Sequence, residues 1–158
     1  MLTPDERRAM IAQLRAFPDQ FAALVQPLSP EQRTARPLPG EWSVAQNIHH
    51  LADSHMNAYI RFKLILLEDH PTIKPYHQED WAETADATPA DVDDSLAILR
   101  GLHRRWTTVM DSVEDAQWVR AGIHPEVGEI TLEWLLIHYM EHSAGHIDQM
   151  QRTINALG

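Results

Sequence analysis

The chain has 158 residues, ten histidines, no cysteine and a formal net charge of −10. That length makes one domain with a sizeable core, and the acidic balance argues against nucleic acid, whose phosphates need clustered Lys and Arg. No apolar run reaches bilayer length and no basic-then-apolar leader is seen, so the expectation is a cytoplasmic protein without membrane contact; without cysteine, any sulfur chemistry must arrive on a bound molecule.

The first helix opens at Thr3-Pro4-Asp5-Glu6, with a capping hydroxyl, Pro at the first helical position and Glu at the third. It is predicted to run to about Val25, with Leu14, Phe17, Phe21 and Leu24 as its apolar stripe. A connector full of breakers follows (Pro27, Pro30, Pro37, Pro39, Gly40), inside which Ser29-Pro30-Glu31-Gln32 can start one short turn. Ser43-Val44-Ala45-Gln46 is a second capping box and opens a helix to about Leu67. Pro71 and Pro75 then predict a loop reaching the mid-eighties.

Thr88-Pro89-Ala90-Asp91 is expected to open the third helix, whose stripe holds Val92, Leu96, Leu99, His103, Trp106, Met110 and Val113. An irregular stretch from about Glu114 to Ile130 contains Pro125 and Gly128, and no sustained strand pattern competes. Thr131 can cap the last helix, which runs to about Asn155 and sets Leu135, His142, His146 and Met150 on one face. Four amphipathic helices with longer connections after the first and second predict an all-α four-helix bundle over residues 1–158.

The chemistry rests on histidines. His138, His142 and His146 follow one another at spacing four on the last helix. Residues so spaced stand one above the other with Cβ atoms ~6 Å apart, and two such rings can reach one ion at ~2.0–2.1 Å from each nitrogen. Spacing alone does not choose between the pairs His138/His142 and His142/His146. A third histidine from a neighbouring helix, His50 in the run His49-His50-Leu51-Ala52-Asp53, would complete a site with positions left open, as catalytic rather than structural sites have. Bundle interiors are where facing helices build such centres. On an apolar face an unpartnered imidazole costs free energy that a metal would offset.

The stretch from Trp42-Ser43-Val44-Ala45-Gln46-Asn47-Ile48-His49-His50-Leu51-Ala52-Asp53-Ser54-His55-Met56-Asn57 to Lys63 closely resembles the YfiT-like branch of the DinB superfamily. The segment Glu68 to Tyr76 and the motif Leu102-His103-Arg104-Arg105-Trp106 resemble it too. The resemblance implies a DinB-type four-helix bundle that binds one divalent ion, zinc or nickel, through His50, His142 and His146. It favours His50 over His49, because the ligand precedes the Leu-Ala-Asp triplet. It also implies a homodimer. Two departures stand out: Glu141 and Gly145 replace a Trp and a His usual around the last-helix ligands, and the N-terminal extension common in the family is expected to be missing.

Members are described as metal-dependent hydrolases, and others in the superfamily transfer low-molecular-weight thiols such as bacillithiol to electrophiles. The expectation here is therefore a metal-dependent enzyme acting on a small-molecule substrate, with thiol S-transfer placed first. Hydrolysis by water activated on the ion is the alternative, and a non-enzymatic metal-binding bundle the third reading. Asp53, three positions after His50, is the first candidate for a proton acceptor or ring-holding carboxylate, with a solvated surface acid as the alternative, and Ser54 stands beside it. Arg61, Lys63, Tyr59, Tyr76 and His77 are candidates for the mouth of the site; His49 is expected to face away from it, and Trp106 and Trp134 to lie in the core.

Overall fold

The computed structural model describes residues 1–158. In chain order its elements are α1 (Pro4–Val25), α2 (Pro30–Thr34), α3 (Val44–Leu67), α4 (Gln78–Trp81) and α5 (Asp93–Asp111); a 3-10 turn (Asp115–Gln117), β1 (Ala121–His124), β2 (Gly128–Thr131) and α6 (Leu132–Asn155) follow. Side-chain caps start three of the four long helices. Thr3 with Glu6 and Ser43 with Gln46 form full capping boxes, and the Thr131 hydroxyl accepts from the Trp134 N–H. No helix is long and apolar enough to cross a membrane.

The expected opening of α5 at Thr88 is corrected to Asp93. The Pro89 carbonyl, which would accept the first helical bond from position 93, instead takes the His49 Nε2–H at 3.1 Å, and the Asp93 N–H turns to the Asp91 carboxylate at 3.0 Å. A competing side-chain partner thus removes one turn from the helix. Between Glu114 and Ile130, expected to be irregular, the chain forms a two-stranded antiparallel hairpin with Ala121 opposite Thr131 and His124 opposite Gly128. Strands of four residues, one of them carrying Gly122, are too short to show an alternating pattern.

Around the bundle, α1 packs on α5 and α6, and α3 packs on the same two helices, leaving α1 and α3 diagonal. The partners fix the directions. Along α3, Asn47, His50 and Ser54 meet His146, His142 and Tyr139 of α6, so these helices are antiparallel. His49 and His55 meet Ser95 and His103 of α5, so those two are parallel. A parallel pair forces the chain to return along the whole bundle between α3 and α5. That return segment carries α4 and builds a wall across one side of α3.

The wall is fastened to the hairpin. Ile73 N–H donates to the Ile123 carbonyl (2.8 Å) and Ile123 N–H to the Pro71 carbonyl (2.9 Å). Arg120 closes the C-terminus of α3, its guanidinium donating to the Ile65 and Glu68 carbonyls at 3.0 and 2.6 Å. Gly122 permits the close approach, since a Cβ there would lie 2.9 Å from both the Pro71 carbonyl oxygen and Ile65 Cγ1.

Leu14, Phe21, Ile48, Leu51, Phe62, Leu99, Trp106 and Leu135 fill the centre of the bundle. Trp134 does not join them: it is 38% exposed and stacks on His138 at 4.5 Å. His103 is fully buried, and its Nδ1–H donates to the Leu14 carbonyl at 2.6 Å. That oxygen is free because Pro18, four residues on within α1, has no N–H to offer it.

Two outcomes follow from this packing. Gly122→Ala should lower the thermal midpoint, at a cost of about 1–3 kcal/mol for the overpacked contact. The second concerns pH: burial pushes the His103 ring down from 6.5 to about 4, against the opposing bond to Leu14. The unfolded chain binds that proton near 6.5 whereas the folded chain does not until about 4, so the stability present in full above 6.5 is lost as pH falls between these values. The loss is about 1.4 kcal/mol per pH unit for such a ring. The urea midpoint of metal-free protein should be lower at pH 5 than at pH 7; equal midpoints would contradict a buried neutral His103.

Candidate metal centre

The antiparallel α3–α6 seam brings His50, His142 and His146 together. His142 Nε2 lies 3.3 Å from His50 Nε2 and 3.2 Å from His146 Nε2, and one ligand atom from each ring falls within 4.8 Å of the others. Nitrogens held tetrahedrally at ~2.0–2.1 Å from one ion stand ~3.3 Å apart, which those spacings match. The three histidines therefore form a group that can hold one metal ion. Between the two spacing-four pairs the structure selects His142/His146; His138 stacks on Trp134, its ring 6.0 Å from that of His142.

The tautomer of His146 can be derived. Asn47 Nδ2 donates to the Ser43 carbonyl at 2.9 Å, which turns its Oδ1 toward His146 Nδ1 at 2.7 Å. A carboxamide oxygen only accepts, so His146 carries its proton on Nδ1 and presents the Nε2 lone pair to the cluster. Trp42 closes the outer side, 4.7 Å from the His50 ring and stacked on His146 at 6.3 Å.

Burial dominates the electrostatics. It holds His50 at about 3, with His146 adding to the effect. His142 is held at about 2 by burial and by the rings of His146, His50 and His138, and His146 at about 4 by burial. At neutral pH all three are uncharged, the form that ligates. His146 offers a lone pair at Nε2, and a cation would take it together with one from each of the other two rings.

Two openings reach this group. One, a cleft of about 430 Å³, is lined by Ser54, Arg61, Tyr76, His138, Tyr139 and His142 among others. The other, about 390 Å³, is lined by Trp42, His142 and His146. Gln78 and Glu79 of α4 line both, so the short helix stands between the two mouths. The Glu79 carboxyl is held below its ordinary range by its own backbone N–H and by the Gln78 amide at 3.1 Å.

Asp53 lines neither opening to the three histidines. It lines a third cleft with His49, Asp86, Asp94 and Ser95, on the side of α3 that faces α5. Its carboxyl is raised by burial and by Asp86, with His49 opposing. At ~100° per residue, position 53 lies ~60° to one side of His50 and position 54 ~40° to the other, and only Ser54 turns into the cleft beside His142. His49, as expected, faces away, bonded to Ser95 Oγ at 2.8 Å. Of the residues expected at the mouth, Arg61, Tyr76 and His77 line the first cleft, while Tyr59 and Lys63 do not.

Asn47 and Glu79 were missed from sequence. Asn47 was detectable as an amide on the apolar face one turn before His50, whereas Glu79 sits on a one-turn helix too short for periodicity to mark it.

Zinc(II) or nickel(II) added to metal-free protein should raise its thermal midpoint, as any ligand selective for the folded state does. The shift should vanish in His142→Ala. Asn47→Leu should weaken metal affinity ~10–100-fold in a chelator competition while leaving the helical circular dichroism intact.

The chain is similar to known proteins. YfiT from Bacillus subtilis is 39% identical over 158 residues, 99% of this chain and 89% of its own. A relative from Bacillus mycoides (strain KBAB4), bearing a provisional metal-dependent hydrolase name, is 39% identical over 149 residues, 92% of this chain and 85% of its own. The solved structure of YfiT superposes with a TM-score of 0.96 at 38% identity, covering 100% of this chain and 91% of that one, and is described as a probable metal-dependent hydrolase with an unusual four-helix bundle topology. The DinB superfamily model matches residues 13–150. With the parallel α3–α5 pair, the histidine seam and that match in hand, the chain belongs to the DinB superfamily.

Proposed function

We propose that this protein is a metal-dependent hydrolase of small polar esters or amides, with His50, His142 and His146 as the ligands of one divalent ion. The observation that carries the reading is the convergence of three neutral imidazole nitrogens, 3.2 and 3.3 Å apart, behind an open cleft whose wall includes His142. An ion held by three neutral nitrogens supplies Lewis acidity, polarising a carbonyl and lowering the pKa of water toward ~7. Three nitrogens suit zinc, nickel, copper or iron(II), and the ligand set does not favour one of them.

The chain's own residues do the rest. Glu79 lines both openings, as His142 does, and its carboxyl stays ionised at neutral pH. It takes the proton released when water adds to the acyl carbon and returns it to the departing oxygen or nitrogen as the acyl bond breaks. Asn47 keeps the His146 ring in the ligating tautomer. Arg61, stacked over Tyr76 and anchored to the Lys74 carbonyl at 2.8 Å, places a guanidinium on the cleft wall for an acidic or carbonyl group of the substrate. The lining is almost wholly polar, which disfavours long acyl chains.

A second reading is supported by one feature, the pair of openings sharing His142, Gln78 and Glu79. Two mouths on one centre suit two substrates, a low-molecular-weight thiol entering by one and an electrophile by the other. The thiol sulfur would then bond to the electrophilic carbon as that carbon's bond to its leaving group or ring oxygen breaks, the electron pair departing with that atom and the thiol proton passing to Glu79.

Incubation of zinc- or nickel-loaded protein with a panel of small esters and amides, with and without thiols, separates the readings. Hydrolysis without thiol, lost in His142→Ala, is expected. Glu79→Gln should lower kcat ~10²–10⁴-fold with metal affinity unchanged. Conjugate formed only when thiol and electrophile are both supplied would replace hydrolysis by transfer. Turnover of neither kind would leave a metal-binding bundle without enzymatic activity.

A further inference from the structure

Behind the three histidines lies a second pair, His55 and His103, both with no exposed surface. His55 Nδ1 and His103 Nε2 are 2.7 Å apart, and His103 Nδ1 is 2.6 Å from the Leu14 carbonyl. Hydrogen-bond chemistry sets every proton along this line. The carbonyl, freed by Pro18, can only accept, so His103 donates from Nδ1 and offers a lone pair on Nε2. His55 must then donate from Nδ1, which leaves its own Nε2 as an acceptor. That nitrogen is buried and has no partner.

The matching donor is nearby. Ligating through Nε2, His142 would carry its proton on Nδ1, and that atom too is buried and unpartnered. An orphaned buried donor and an orphaned buried acceptor each cost free energy, about 1–3 kcal/mol in typical cases. The His55 and His142 ring centroids are 5.6 Å apart, against 4.9 Å in the hydrogen-bonded His55–His103 pair. Closing the bond needs the His142 ring to approach His55 and turn toward it. The other unpartnered donor beside His55 is the Trp106 indole Nε1, whose ring is farther, at 6.2 Å.

We propose that His55 and His103 are positioning residues for the metal centre: His142 Nδ1–H donates to His55 Nε2, His55 Nδ1–H to His103 Nε2, and His103 Nδ1–H to the Leu14 carbonyl. The relay fixes the His142 tautomer and ring plane from α1 and α5, as Asn47 fixes His146 from within α3. It rests on the reading that His142 ligates through Nε2. It gives a use to three polar groups that a purely apolar core would exclude.

The test compares His55→Leu, which removes the acceptor, with His55→Gln, whose carboxamide oxygen can still accept from His142. Zinc and nickel dissociation constants are measured by chelator competition, with folding checked by circular dichroism. His55→Leu should bind ~10–100-fold more weakly and His55→Gln should recover most of the loss. Equal loss in both, or none in His55→Leu, would overturn the relay. Nitrogen-15 imidazole spectra of the wild-type protein need no variant. Metal-free protein should show His55 and His103 protonated on Nδ1, and zinc-loaded protein a coupling across the hydrogen bond between His142 Nδ1 and His55 Nε2. A coupling from His55 Nε2 to the Trp106 indole instead would overturn the assignment. Failure of the wild-type protein to take up either ion would sink the metal reading, while the metal-free tautomers would still judge the chain from His55 to Leu14.

Discussion

Uncharged imidazoles buried against one another are the constraint to which the rest of this molecule answers. A histidine in an apolar seam must either find a hydrogen-bond partner for each nitrogen or give its lone pair to a cation. Here the Nε2 atoms of His50, His142 and His146 converge on a common place. Of the nitrogens facing outward, His146 Nδ1 donates to Asn47 Oδ1, while His142 Nδ1 is buried without a partner. The amide is itself fixed by the Ser43 carbonyl at the first turn of α3. The helix cap and the ligand tautomer are thus parts of one hydrogen-bonded unit.

The topology supplies what the seam alone does not. Because α3 and α5 run parallel, the chain between them must travel back along the bundle, and it spends those residues on the cleft. Tyr76, His77, Gln78 and Glu79 all come from that return. The hairpin between α5 and α6 clamps the same segment through Pro71, Ile73 and Ile123, and contributes His124 and Glu126 to the lining. The centre therefore sits where a rigid two-helix floor meets a wall fastened by backbone hydrogen bonds. Rigid helices for ligands and a connecting segment for substrate contacts is a common division in functional sites.

Pro18 shows how a local rule and a tertiary need coincide. Inside a helix it removes a backbone bond and is ordinarily costly. In α1 the carbonyl it leaves free at Leu14 is taken by His103 from α5, so the cost is offset by a bond between helices. The opposite happens at Pro89, where His49 occupies the carbonyl that would have begun α5 earlier.

The sequence by itself determined the four long helices, since caps at Thr3, Ser43 and Thr131 and stripes such as Leu14, Phe17 and Phe21 are local in origin. Spacing put His138, His142 and His146 on one helix face without choosing among them; the resemblance named His50, His142 and His146, the group the structure brings together. Only the tertiary structure decided which neighbour each face meets. It sent Asp53 toward Asp86 and Ser54 toward the cleft, a division of ~100° on one helix that spacing cannot assign without knowing where α5 and α6 lie. It exposed Trp134, made a hairpin from eight residues too few to show a pattern, and set Glu79, on a one-turn helix too short for periodicity, along both openings. Periodicity records which residues are buried together; it carries no information about segments placed by contacts distant in the chain.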